Sequence, residues 1–451
     1  MTRVLVIGGS DAGISAGLRI QELDPNVRPT LVVADAYPNF SICGIPYHVS
    51  GEVPDWRALA HRTRADLETA GLGLRLNTRA TRIDPFARTV TVVDHDGRHQ
   101  LPYDELIIGT GAVPIRPRIE GIDTLGPADG VHLLHTMEDT FTLTDTLARQ
   151  PESAVVVGAG YVGLEMVDAL RARGIAVTLV ETLPEVLSTV DSELGALVRA
   201  ELRAHDVDVH TGTTVHRVER HAGRLRVHGS DGFIRTTDVV LVVVGVHPDT
   251  ALAETAGVKL GVRGAIAVDR WMRATVDHIF AAGDCVQTYH RLLGTDTYLP
   301  LGTTAHKQGR VAGENALGAA RRFAGSLGTQ VVKVFDLAIA RTGVRDRDAV
   351  GFRPVTHETV ADDHKAYYPG SRPIHLRITG DATTGRLLGA QLVGHRDSSV
   401  HKRVDVLATA IHHGMTVSDV EDLDLSYTPP LGSPYDAVQV ATHAWTQQHG
   451  D

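Results

Sequence analysis

The sequence predicts an α/β fold: two parallel-sheet units, then a smaller α+β unit. Three observations carry this. Arg3 to Ile7 reads as a buried strand that runs into a glycine turn and an amphipathic helix reaching about Leu23. The same opening recurs near residue 151, where the strand Ala154 to Val157, a second glycine turn, a helix and the strand Ala176 to Val180 follow one another. Residues 326–451 lose the alternation and mix β segments with helical patches. Two repeated βαβ openings predict two Rossmann-like dinucleotide-binding domains.

Along the chain, Leu31 to Ala34 is expected as a second strand. Leu74 to Asp94 is expected as short β segments, with Asp96-Gly97 as a turn. Leu106 to Gly111 is expected as a strand ending in glycine. Thr213 to Val227 predicts a β meander, and Val239 to Val246 one buried strand. Ile279 to Ala282 leads into Gly283-Asp284, and a helix is expected from about Thr304. The third unit is expected to hold strands at Val331 to Phe335, Ile374 to Ile378 and Leu388 to Val393. A helical patch at Arg403 to His412 and a proline-rich tail follow.

Length and composition narrow the class. The chain has 451 residues, enough for about three domains. Apolar residues make up 43% and charged residues 22%, which excludes a wholly disordered chain. Glycine accounts for 45 residues, above the usual ~7%, as expected where backbone must approach a ligand. Lys and Arg number 44 against 54 Asp and Glu, a net charge of −10, which argues against nucleic-acid binding. Two cysteines cannot build a disulfide scaffold. No signal peptide is expected, and the longest apolar run, Val239 to Val246, is far shorter than the ~20 residues of a membrane span. A cytoplasmic protein is the expectation.

The two glycine turns carry the first chemistry. The first, Gly8-Gly9-Ser10-Asp11-Ala12-Gly13, departs from G-x-G-x-x-G only at Ser10. Asp35, after the second strand, stands where a carboxylate holds ribose hydroxyls. The second, Gly158-Ala159-Gly160-Tyr161-Val162-Gly163, matches in full, with Glu181 after the next strand. Its amides and helix dipole suit a pyrophosphate. Glu181 would accept a ribose 2′-hydroxyl and repel a 2′-phosphate, favouring NADH over NADPH. A flavin plus a nicotinamide is the economical pair, because a hydride passes between them.

These loops, together with Thr110-Gly111, Ala281-Ala282-Gly283-Asp284 and the segment around Cys43, resemble the FAD-dependent pyridine nucleotide–disulfide oxidoreductases over nearly the whole chain. The resemblance implies FAD on the first loop and NAD(P)H on the second. It implies an FAD-binding domain of residues 1–118 and 247–325, an inserted NAD(P)H-binding domain of 119–246, and a dimerisation domain of 326–451. In the segment Asn39 to His48, His48 stands where dithiol members place a second cysteine. The string F-x-x-C-G-x-P-Y resembles the single-cysteine branch: coenzyme A disulfide reductases, persulfide reductases, NADH oxidases and NADH peroxidases.

The resemblance also implies roles. Cys43 becomes the redox thiol, expected to have a depressed pKa because exchange needs a thiolate. Asp284 binds the ribityl or phosphate end of FAD, and Thr304, Ala305 and His306 approach the flavin ring. Tyr161 covers the flavin face until NADH stacks there, Glu165 hydrogen-bonds near the nicotinamide, and Gly245 joins the cofactor contacts. Tyr427, with Tyr367 or Tyr368, reaches the partner subunit's Cys43 and protonates a leaving thiolate. A homodimer with shared sites follows. Cys285 is expected as a core filler, and His48 as a packed or solvated residue. Asp11 stands where oxidases and peroxidases of this branch carry histidine, which counts against those activities.

The function implied is NAD(P)H-dependent reduction of a small disulfide or persulfide, such as a coenzyme A disulfide, through Cys43. Two alternatives stay open. One is an NADH oxidase or peroxidase cycling Cys43 through sulfenic acid. The other is a flavin-bearing interaction protein whose redox state is read by a partner. No metal, nucleic-acid or membrane partner is expected.

Overall fold

The computed structural model describes residues 2–449. Its first sheet holds five parallel strands in the order Ile279–Ala281, Glu105–Ile108, Val4–Ile7, Thr30–Val32, Gly73–Arg75. The central strand Val4–Ile7 is buried at every residue. That explains its unbroken apolar run, since a parallel strand is covered on both faces. The strands share a direction, so the glycine turn after Ile7, the turn after Ile108 and the turn after Ala281 open at one edge.

The second sheet repeats the plan with Asp208–His210, Ala176–Val180, Ser153–Val157, Val239–Val242 and Val131–Leu133. One expectation is corrected here. The run 239–246 is not a single strand: Val239–Val242 belongs to this sheet, whereas Val246–Pro248 pairs antiparallel with Ala112–Pro114 in a separate ribbon. Gly245, at φ +109°, turns the chain between them. That conformation is open to glycine and rare for other residues. Each sheet carries a three-stranded meander, Arg79–Asp84, Thr89–Asp94 and Gly97–Pro102 on one, Val215–His221, Arg224–Gly229 and Ile234–Thr237 on the other.

Helix Gly302–Ala316 lies directly on helix Asp11–Leu23. A Cβ at Gly309 would stand 2.2 Å from the Ala12 carbonyl oxygen, and one at Gly313 2.6 Å from that of Ala16. At these two glycines the backbones therefore touch without a side chain between them. Buried Gln308 seals the seam, its Oε1 accepting the Gly283 N–H at 2.9 Å.

The third unit is an antiparallel sheet in the order Gln330–Val334, Leu337–Gly343, Leu387–His395, Pro373–Asp381, Pro354–Asp362. Helices Val400–His413 and Ala437–His449 cover it. The expected proline-rich stretch is a loop over 424–436, and what the sequence does not predict is the helix Ala437–His449 that follows it. Trp445 is 1% exposed, fills the space above Gly380, and donates its indole N–H to the Val355 carbonyl at 2.9 Å. Among the described residues, no helix is long and apolar enough to cross a membrane.

Candidate functional site

Three long helices begin at glycine or loop residues without a side-chain cap: Asp11–Leu23 after Ser10, Tyr161–Ala172 after Gly160, and Gly302–Ala316 after Leu301. Helices Arg64–Thr69, Met137–Leu147 and Val417–Glu421 instead close their first turns with threonine capping boxes. Free first-turn amides are unspent hydrogen-bond donors at the positive end of a helix dipole.

The first loop is shaped by sterics. Gly8 has φ +116°, and a Cβ there would lie 2.1 Å from the Gly109 carbonyl oxygen. A Cβ on Gly13 would meet Gly8 O at 2.2 Å, and Gly283 lies against the Ala12 methyl. The turns 8–13, 109–111 and 283–284 are therefore in contact. Ser10 is exposed at the helix N-cap. Thr110 Oγ1 donates to the Asp249 carbonyl at 2.6 Å, and Gly111, at φ +75°, faces open space. Exposed Asp35 accepts the Tyr37 N–H at 2.8 Å. Cys285 is fully buried, and burial pushes its thiol up to about 11.

Cys43 lies in the 3₁₀ turn Ile42–Gly44, directly before helix Ile45–Ser50, and is exposed. Its surroundings correct the expected depression of its pKa. Desolvation by the surrounding walls pushes the thiol up, and the negative fields of Glu165, Asp11 and Asp284 push it further. The three carboxylates come from three separate segments, the first loop, the second-loop helix and the 283–284 turn, and the field of each is felt at Cys43. Asp284 is held up at about 6 by burial and by Asp11, partly offset by the Leu301 N–H. Tyr298 donates to the Asp284 carbonyl at 2.9 Å.

Thr304 and Ala305 are buried at the start of helix Gly302–Ala316, and the Thr304 hydroxyl bonds Ser326 Oγ at 3.1 Å. His306 turns back to the first helix: Nδ1 lies 2.7 Å from Ser15 Oγ and Nε2 3.4 Å from Asp11 Oδ1. His48 spends Nδ1 on the Val53 carbonyl at 2.8 Å, closing its own turn.

The second loop repeats the geometry. Gly158 has φ +106°, and a Cβ on Gly163 would stand 2.0 Å from the Gly158 oxygen, whereas Gly160 has open space where a side chain would stand. Glu181 accepts the Ala159 N–H at 2.7 Å and the Leu183 N–H at 2.8 Å. Its carboxylate is therefore fixed beside the loop. The Tyr161 hydroxyl accepts from Thr189 at 3.1 Å, and burial raises its pKa. Glu165, one turn further, is held up at about 7 by burial, against the pull of Tyr47 and Lys333.

The tyrosines belong to the third unit. Tyr367, Tyr368 and Tyr427 are exposed in its loops. The Tyr367 and Tyr427 phenols meet, and that contact raises the Tyr367 pKa. The loops are joined where the Lys365 N–H donates to the Pro429 carbonyl at 3.3 Å. None of the groups that shift Cys43 is one of these tyrosines. Tyr47, Asp168, Lys333 and Gln308 fall outside the residues expected from sequence. Tyr47 has a signal there, the final position of F-x-x-C-G-x-P-Y. Lys333 has none, because only the fold brings it near.

Comparison with known proteins agrees with this architecture. The profile for the pyridine nucleotide-disulphide oxidoreductases matches residues 2–309, and that for the dimerisation domain of the same family matches residues 329–436. An NAD(P)H sulfur oxidoreductase (CoA-dependent) of Pyrococcus furiosus is 34% identical, covering 97% of this chain and 98% of the relative. The structure of an NAD-dependent persulfide reductase from A. fulgidus superposes with a TM-score of 0.94 at 37% identity, over 99% of this chain and 84% of that one. Reduced CoADR-RHD of Bacillus anthracis gives 0.95 at 32% identity, over 99% and 80%. The chain belongs to the pyridine nucleotide-disulphide oxidoreductases and is an NAD(P)H disulfide oxidoreductase.

Proposed function

We propose that this oxidoreductase reduces a small disulfide or persulfide of the coenzyme A type, with Cys43 as the sulfur that exchanges with substrate. The observation that carries the reading is the exposed Cys43 in the turn before helix Ile45–Ser50, where the charges of Asp11, Glu165 and Asp284, from both glycine-loop helices and the 283–284 turn, are felt together. The family relation supports it.

FAD fits the first unit, which we assign to residues 1–118 and 247–325. The uncapped N-termini at Asp11 and Gly302 offer amides to its phosphates and to the pyrimidine end of the ring, and Asp35 and Asp284 supply acceptors. NADH fits the loop Gly158–Gly163 of residues 119–246, with Gly160 leaving room for the pyrophosphate. Glu181, already fixed by two amides, favours NADH over NADPH. When bound, FAD would supply two-electron transfer between NADH and sulfur. Cys43 thiolate attacks the substrate disulfide, releasing one thiol and forming a mixed disulfide; its reduction releases the second. The sum is NADH + H⁺ + RSSR′ → NAD⁺ + RSH + R′SH. Residues 326–451 pair two chains. In the pair, Tyr427, assisted by Tyr367 or Tyr368, donates a proton to the thiolate leaving the other subunit's Cys43.

The NADH oxidase or peroxidase reading has one observation in its favour: His306 brings an imidazole within 3.4 Å of Asp11, in the loop where relatives of that type carry histidine. Anaerobic NADH titration of wild type and Cys43→Ser, followed by coenzyme A disulfide, coenzyme A persulfide, glutathione disulfide, peroxide and oxygen, separates the two. The reductase reading expects wild type to take up more than two electrons and turn over a disulfide or persulfide. The variant then reduces flavin only. Equal oxygen consumption by both proteins, without disulfide turnover, sinks it.

A further inference from the structure

The reaction above consumes one proton per turnover, and the thiol site lies among desolvated walls. A route for that proton is visible beside helix Tyr161–Ala172. Helix Ile45–Ser50, helix Tyr161–Ala172 and strand Gln330–Val334 meet there, one from each of the three units. Between them is a cavity of about 10 Å³, lined by Tyr47, Ser50, Glu52, Glu165, Asp168 and Lys333 among others. That volume holds one water molecule, and the polar lining gives it partners.

The lining groups form a chain from the surface inwards. Glu52 is exposed and lies 3.7 Å from Lys333 Nζ. Lys333 Nζ bonds Asp168 Oδ2 at 2.8 Å and lies over the Tyr47 ring at 5.6 Å. Asp168 is fixed a second time by the Phe335 N–H at 3.1 Å. The Tyr47 phenol and the Glu165 carboxyl line this cavity together and each shifts the other's pKa, and the negative charge of Glu165 is felt at Cys43. Cys43 is four residues before Tyr47, across the single turn that opens the helix.

We propose that Glu52, Lys333, Asp168, Tyr47 and Glu165, with one water in the cavity, conduct a proton from the surface to the thiol site at Cys43. This rests on the reading of Cys43 as the exchanging sulfur. Glu165 is the store: it takes up a proton through Tyr47 and the water, and gives it up beside the sulfur as thiolate forms. The groups facing Glu165 are Tyr47 and Cys43 from the segment 43–50, Tyr161 and Asp168 on its own helix, and Lys333 from the third unit. Lys333 is the single cation among them and favours the charged form of Glu165. Tyr47 itself is pushed up to about 12 by burial, Glu165 and Glu52. It therefore stays a hydroxyl, able to accept and donate.

The test reads Cys43 directly. The rate of its alkylation by iodoacetamide is followed from pH 5 to 10 in flavin-loaded protein without NADH, and disulfide turnover is followed over the same range. Wild type, Glu165→Gln, Tyr47→Phe and Lys333→Met are compared, with flavin content and melting temperature as controls for folding. Wild-type alkylation is expected to show an inflection near neutrality ahead of thiol ionisation. The inflection vanishes in Glu165→Gln and moves to higher pH in Lys333→Met and Tyr47→Phe. Disulfide turnover at pH 7 falls about a hundredfold in Glu165→Gln and Tyr47→Phe, the scale of one general acid. A merely structural role moves neither profile. Superimposable alkylation profiles, with turnover still dependent on Cys43, overturn the path alone. Turnover that survives Cys43→Ser overturns the reading beneath it.

Discussion

At the scale of single residues, the unusual feature is carboxyl groups that hold their protons near neutrality. Asp284 is held at about 6 by burial and by Asp11. That value lies well above the ordinary aspartate value of an unfolded chain, about 3.9. The folded protein therefore binds this proton more tightly than the unfolded one. Stability is lost as pH rises from about 4 to about 6, and the full penalty stands above that range, up to about 3 kcal/mol. Asp284→Asn keeps the shape and removes the charge. It is expected to raise the melting temperature of flavin-free protein at pH 7.5 and to leave it unchanged at pH 4. A melting series over pH 4 to 8 checks this; equal shifts at both ends would mean the effect is not electrostatic. Burial first, and then the same field, explain why Cys43 departs from expectation. A cysteine before a helix start predicts an easily formed thiolate. The carboxylates that oppose it come from residues 11, 165 and 284, and no spacing in the sequence reveals their convergence.

At the scale of elements, helix Gly302–Ala316 approaches helix Asp11–Leu23 backbone to backbone at Gly309 and Gly313, and side-chain bridges from His306 to Ser15 and from Glu314 to Arg19 flank that contact. Gly309→Ala places a methyl 2.2 Å from the Ala12 carbonyl oxygen, so the helices must separate. Overpacking of this kind costs about 1–3 kcal/mol. The displaced elements carry Asp11, Thr304 and His306, so lower flavin content on purification is expected together with the lower melting temperature. Normal flavin content would show that the seam is not what shapes the first site. This level also shows what the sequence can reveal. The strands Val4–Ile7, Ser153–Val157 and Ala176–Val180 are legible because buried parallel strands need unbroken apolar runs. The loops are legible because Gly8, Gly13, Gly158 and Gly163 leave no room for a Cβ. The terminal helix Ala437–His449 is obscured by its Thr, Gln and His content and by the prolines before it, although Trp445 is its anchor. The break in the 239–246 run is hidden because Val243 and Val244 continue the apolar character across a turn made by Gly245 alone.

At the scale of the whole molecule, the loops carrying the tyrosines are fastened to one buried cation. Arg403, 7% exposed, pairs with Asp436 at 2.8 Å and donates to the carbonyls of Ser398 and Asp363. It thereby ties the 363–372 loop, with Tyr367 and Tyr368, to the end of the 424–436 loop, with Tyr427. Arg403→Met leaves Asp436 without its partner, at a cost of about 3–5 kcal/mol. It is expected to slow disulfide turnover more than flavin reduction by NADH, which stopped-flow measurement of each half-reaction resolves. The proposed function brings these loops to Cys43 of a second chain. Mixing Cys43→Ser and Tyr427→Phe protomers decides the matter. In a hybrid dimer with shared sites, one site combines the intact Cys43 of one chain with the intact Tyr427 of the other, while the second site carries both changes. Activity must then reappear on mixing two nearly inactive homodimers. If thiol and phenol instead act within one chain, each hybrid site carries one lesion and no activity returns. Tagging the two variants differently and isolating the doubly tagged dimer makes the result independent of mixing efficiency, so a silent hybrid would exclude the shared site.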